Sequence, residues 1–189
     1  MSEFRLERDM EPVVRSWLES QGLFVRRECW MPSGVCDLVG CRFREDALAL
    51  RLATGLGERS TARSVRDIEN GRPWLPLHER LVFVEMKLRR REEVWRQACA
   101  HQWFAESFVA MPYPACDYRP LNELIYERVG VLRVDADGVT VLREAIPPVR
   151  PPRGQVCRLV DSMALEAAAV GLAALSGEAR KAKSERGER

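Results

Sequence analysis

The sequence predicts an α/β protein, a mixed β-sheet core flanked by helices, on three observations. Apolar stripes at helical spacing alternate with short runs rich in Val, Leu and Phe along the 189 residues. The run Leu81-Val82-Phe83-Val84 is apolar without a break, as a strand buried on both faces is. Two further apolar runs flank a short polar turn, Asp135-Ala136-Asp137-Gly138, as in a hairpin. The elements run helix, strand, strand, excursion, strand, helix, strand, helix, strand, strand, which mixes connection types within one sheet.

Glu11 to Gln21 reads as the opening helix, because Val13, Val14, Trp17 and Leu18 form one stripe. Asp9 has the chemistry of an N-cap, Pro12 suits the first turn and Gly22 suits the position after the end. Leu23 to Trp30 and Val35 to Phe43 read as strands around the turn Met31-Pro32-Ser33-Gly34. Residues 44–80 read as an insertion, with a short helix over Asp46 to Ala53, and His78 falls within it as a surface residue. Leu81 to Leu88 is the central strand. A helix from Arg91 or Glu92 to about Phe104 follows, then a strand Ser107 to Met111, a short helix Leu121 to Arg128, and the hairpin Val131 to Leu142. Trp17, Trp30, Trp95 and Trp103 read as core or near-core aromatics. Residues 1–145 are thus expected to form one domain, 146–158 a Pro-rich linker, and 159–189 a C-terminal helix and charged tail.

A hydrophobic fraction of 46% with 31% charged residues indicates a globular chain. No apolar run approaches the roughly 20 residues of a membrane helix, and the start lacks an apolar signal region, so the expectation is a cytoplasmic protein without a membrane partner. The six cysteines show no CxxC pair and read as reduced thiols; a zinc site from Cys29, Cys36 and Cys41 lacks an evident fourth ligand. The net charge of +2 does not by itself point to nucleic acid. There are 27 Arg against 3 Lys, and Lys87 is the sole lysine before the tail. A compact ammonium is not interchangeable with a guanidinium, so the one retained lysine invites a chemical reading.

Glu85 and Lys87 lie two apart on the central strand and are expected to share a face. Asp37 interrupts the apolar run Val35-Cys36-Asp37-Leu38-Val39. Charged groups in buried strands are costly unless used or paired. If the two strands are neighbours, the three groups converge. Two carboxylates on rigid strands suit a hard divalent cation, with the Met86 carbonyl as a further ligand, and an ammonium beside them suits charge building on a phosphate. A plain ion pair at a strand end is the competing reading.

Asp37 followed by Glu85-x-Lys87 on a hydrophobic strand resembles the PD-(D/E)xK nuclease superfamily. Glu11 with Gly22 eleven residues later resembles the opening helix of archaeal-type Holliday junction resolvases in that superfamily. The resemblance implies a restriction-endonuclease-like fold over about residues 9 to 145 and a Mg²⁺- or Mn²⁺-dependent nuclease acting on DNA. It implies metal binding by Asp37, Glu85, the Met86 carbonyl and Glu11, with Lys87 positioning water. Gln97 matches a site-facing Gln of several branches, with His101 where those branches have Tyr. Cys36 replaces the motif proline, and the 48 residues from Asp37 to Glu85 exceed the usual connection. Some members carry an iron–sulfur cluster on a late cysteine group, but here only Cys157 is late. Arg89, Arg90, Arg91 and Arg96 flank the motif strand and are candidate phosphate contacts. The alternative is a non-catalytic nucleic-acid-binding or assembly subunit of the same fold. In it, the Ala-rich C-terminal helix would dock on a second copy or a partner protein.

Overall fold

The computed structural model describes residues 4–31, 34–45, 77–89, 92–112, 115, 128–148 and 156–171. The expected helix at 46–53 and residues 121–127 of the one expected at 121–128 lie outside them, as do Arg90 and Arg91.

A 3₁₀ turn, Glu7–Asp9, leads into α1, Glu11–Ser20. Asp9 does not cap α1. Its Oδ2 accepts the amides of Arg5 and Leu6 at 3.1 and 2.8 Å, so it closes the preceding turn, and Met10 occupies the N-cap position. The stripe inferred from sequence does face the core: Val14 and Leu18 are buried, and the Trp17 ring meets Phe108 edge-on at 5.8 Å. Gly22 ends the helix at φ 72°, a conformation that disfavours side chains with a Cβ.

Six strands follow: β1 Phe24–Met31, β2 Gly34–Phe43, β3 His78–Met86, β4 Glu106–Pro112, β5 Gly130–Asp135 and β6 Gly138–Arg143. They form one sheet in sequence order. β1–β2–β3 pair antiparallel, β3–β4–β5 parallel, and β5–β6 antiparallel. The parallel step from β3 to β4 is bridged by α2, Glu92–His101, as parallel neighbours require a crossover. The chain is therefore α/β, with a six-stranded mixed sheet between helices. β3 starts at His78, so the excursion ends earlier than 80. The excursion's ends lie side by side, with Arg44 N donating to Leu77 O at 3.0 Å. His78 is buried rather than at the surface, opposite Phe43.

Each face of the sheet carries its own core. Met10, Val14 and Leu18 pack on Leu38, Val82, Val84, Met86, Phe108 and Leu132. On the opposite face Val94, Trp95 and Ala98 of α2 pack on Val109, Met111 and Val131. A third helix, α3, covers 156–171 of the described residues, so helical structure begins inside the expected linker. α3 buries Val156, Leu159, Val160 and Met163 against Cys36, Val39, Cys41, Leu81 and Phe83. Arg26 on β1 ties it further, donating to Ser162 Oγ at 2.7 Å. Its apolar stripe is thus spent on its own sheet, leaving Leu165 and Val170 exposed. Trp30 is 75% and Trp103 48% exposed, against the expectation of core or near-core aromatics. No helix among the described residues is long and apolar enough to cross a membrane.

Candidate active site

The β2–β3 ladder ends at Leu38 opposite Val84. Beyond it a side chain replaces the backbone: Asp37 Oδ2 accepts the Met86 N–H at 2.7 Å. An irregularity between β1 and β2 accompanies this. Arg27 pairs with Leu38 and Cys29 with Cys36, while Glu28, at φ 50°, and Asp37 make no pair. As a result Cys36 joins the same core cluster as Val39 and Cys41, although period-2 alternation would put Cys36 and Val39 on opposite faces.

Lys87 lies one residue past β3. Its Nζ donates to Glu7 Oε2 at 3.0 Å and stands 4.0 Å from Asp37 Oδ2. Glu85 belongs to the face that α2 covers. It is 1% exposed, and its Oε1 is 3.0 Å from Nε2 of His101, itself 2% exposed. The His101 ring meets Phe83 edge-on with centroids 5.1 Å apart. The two-residue spacing therefore does not place Glu85 and Lys87 on one partner: Glu85 meets α2, and Lys87 meets the turn before α1.

The groups still act on one another electrostatically. Burial raises the Asp37 carboxyl to about 6, the Met86 amide pulls it back, and Glu85 and Glu7 push it up while Lys87 lowers it. For Lys87, burial works against the charged form. The Glu7 hydrogen bond and the charges of Asp37, Glu7 and Glu85 outweigh burial, so its pKa is raised. Lys87 is thus held as a cation, suited to stabilising negative charge and unsuited to acting as a base.

Glu11, expected at this site, forms ion pairs with Arg15 at 3.3 Å and Arg27 at 3.8 Å. Glu7, one helical turn earlier, is the acid that reaches Lys87, and no pattern in the sequence singles it out. Gln97 is partly buried on α2, and its Oε1 is enclosed with no hydrogen-bond partner among the described residues. Arg89, after β3, and Arg96, on α2, are exposed. His101, one turn beyond Gln97, is the α2 residue that contacts a motif carboxylate.

Cys36, Glu85 and His101 form a buried group with ligand atoms within 4.8 Å of one another. The surroundings of Cys36 do not favour a thiolate nucleophile. Burial and the charges of Glu85 and Asp37 raise the fully buried Cys36 thiol well above its ordinary value, the opposite of thiolate activation. Of the three cysteines considered for zinc, Cys36 alone belongs to this group.

No protein-family model matches the sequence, and no curated protein matches it. Among solved structures the chain is similar to a protein of unknown function from Silicibacter pomeroyi, with 14% identity and a TM-score of 0.51 over 93% of this chain and 94% of that one. At that identity the likeness concerns the fold alone, an α/β arrangement over nearly the whole length of both chains.

Proposed function

We propose that this chain is a metal-dependent nuclease of the PD-(D/E)xK type, hydrolysing phosphodiester bonds in DNA on a restriction-endonuclease-like core. The observation that carries the reading is Lys87 Nζ standing 4.0 Å from Asp37 Oδ2 at the end of adjacent strands, with the charge of the nearby Glu85 acting on both. The helix before β1 and the helix after β3 support it, since the superfamily motif occurs in that setting.

The residues fit a hard divalent cation. Asp37, Glu85 and Glu7 crowd negative charge around a single ammonium, and their repulsion contributes to the raised Asp37 carboxyl, which a bound dication would relieve. Asp37, Glu85 and the Met86 carbonyl would hold Mg²⁺ or Mn²⁺, which supplies an activated water and charge neutralisation at phosphate. Asp37 is oriented by the Met86 amide and Glu85 by His101. Lys87 brings its positive charge to the phosphate. Exposed Arg89 and Arg96 favour a nucleic-acid strand beside the motif end.

The test is cleavage of plasmid, single-stranded and branched DNA with Mg²⁺ or Mn²⁺, using Asp37→Ala and Lys87→Ala as controls. Metal-dependent cleavage lost in both variants is the expected result. No cleavage of any nucleic acid, or cleavage that survives both substitutions, would leave the non-catalytic binding or assembly role.

A further inference from the structure

We propose that Cys36, Glu85 and His101 form a buried zinc site that joins β2, β3 and α2 and shares Glu85 with the oxygen-rich metal site proposed at Asp37. The three side chains contribute a sulfur, a carboxylate oxygen and an imidazole nitrogen, all within 4.8 Å of one another and all buried. Buried carboxylate and imidazole groups are costly in an apolar setting, here one in which the Phe83 ring stands edge-on to His101. The 3.0 Å contact between them satisfies one atom of each.

The backbone departs from regularity in a way that delivers the third donor. The unpaired Glu28 and Asp37 turn β2 over, so that Cys36 faces the Glu85 side of the sheet. A regular strand would have sent that thiol to the α1 face. The thiol now points to carbonyl oxygens, 3.3 Å from Leu38 O and 3.7 Å from Val84 O. Binding of Zn²⁺ replaces that S–H by a zinc–thiolate bond, and the proton leaves to buffer.

The donor set selects the ion. Mg²⁺ demands oxygen ligands, whereas mixed S, N and O donors suit Zn²⁺. Zinc bonds of about 2.0 to 2.3 Å require donors roughly 3 to 4 Å apart, which these side chains reach by small inward movements. Three protein ligands leave a fourth position for water.

The test uses the purified full chain, stripped with chelator and given Zn²⁺ or Co²⁺ alone. One Zn²⁺ should remain per chain after desalting, and Co²⁺ should give an intense near-ultraviolet thiolate-to-cobalt band. Cys36→Ser should abolish the band. His101→Asn should weaken zinc binding by more than the roughly 10–100-fold that loss of a supporting partner costs. Asp37→Asn, expected to end cleavage, should keep the band, which separates this site from the proposed nuclease chemistry. X-ray absorption at the zinc edge of the unaltered chain should show one sulfur among nitrogen and oxygen neighbours, whether or not the variants fold. Sub-stoichiometric zinc, a shell without sulfur, or a cobalt band that survives Cys36→Ser would overturn the proposal.

Discussion

Asp37 Oδ2 accepts the Met86 N–H at 2.7 Å, just beyond the last backbone pair of β2 and β3, Leu38 with Val84. Met86 is 5% exposed, so this amide depends on the carboxylate for an acceptor. Asp37→Asn keeps an acceptor oxygen and removes the charge; Asp37→Ala removes both. The Ala variant should be less stable than the Asn variant by about 1–3 kcal/mol, the cost of an orphaned buried donor. Urea unfolding near neutral pH measures the difference. Equal stability of the two would mean the bond contributes nothing.

Half-buried Asp37 and buried His78 should make stability depend on pH in opposite senses. Asp37 has a folded pKa of about 6 against 3.8 unfolded, so the native state holds that proton more tightly. Its contribution falls as pH rises from about 4 to 6. Burial lowers His78 to about 4 from 6.5, so the unfolded state holds that proton more tightly, and its contribution rises across much of the same window. These two slopes oppose each other in the unaltered chain. Asp37→Asn should leave a stability that climbs with pH, and His78→Gln one that declines. Unfolding midpoints at about pH 4.5 and 6.5 decide it; the same slope in both variants would contradict the assignment.

Lys87 should be intolerant of arginine. The ammonium sits between Glu7 and Asp37, at 3.0 and 4.0 Å, in a gap a planar guanidinium fits poorly. Under the proposed chemistry Lys87→Arg and Lys87→Ala should each lower the cleavage rate about 10²–10³-fold. Glu7→Gln should change the rate only a few-fold, because Asp37 and Glu85 still favour the cation. A loss in Glu7→Gln as large as in Asp37→Ala would place Glu7 among the metal-holding acids.

The strands were legible because their apolar runs are bounded by turn chemistry, and Asp37 and Lys87 stood out as polar breaks in buried context. The contacts around Glu85 were not legible. Alternation assigns faces only while the ladder is regular, and the Glu28–Asp37 irregularity turns Cys36 over and sets Asp37 on the Met86 amide. The His101–Glu85 bond depends on where α2 lies across β3, which no spacing within α2 reveals. Glu7 and Glu11 are one turn apart and chemically alike, so only the entry path of the chain separates the partner of Lys87 from the partner of Arg15. The packing of α3 on its own sheet, rather than a helix beyond a linker, was not legible because its burial depends on a sheet face assembled from distant residues.

Arg80 offers a structural control. Its Nε lies 3.1 Å from both Glu106 oxygens and its Nη2 2.7 Å from Oε2, a fork across the parallel β3–β4 pair, while Nη1 meets Gln21 Oε1 at 2.6 Å. The pair is partly exposed, which screens it, yet fork geometry favours a real contribution. Glu106→Gln should cost about 1–2 kcal/mol in denaturant unfolding and leave metal-dependent cleavage unchanged. A large loss of cleavage in a folded Glu106→Gln chain would show that the β3–β4 edge matters to the site directly.

Gly130 on β5, opposite Phe108 of β4, is the most crowded glycine among the described residues. A Cβ there would overlap the Phe108 ring and lie 2.8 Å from the Ala145 backbone nitrogen. Phe108 has little room to yield, since it is fully buried and Trp17 of α1 stands edge-on against it. Gly130→Ala should therefore destabilise by about 1–3 kcal/mol through overpacking. If the ring is the main obstacle, Phe108→Leu should absorb part of the insertion. The double variant should then be more stable than the sum of the single losses predicts, by at least about 0.5 kcal/mol. Strict additivity would instead assign the strain to the Ala145 backbone, which no side-chain substitution at 108 can relieve.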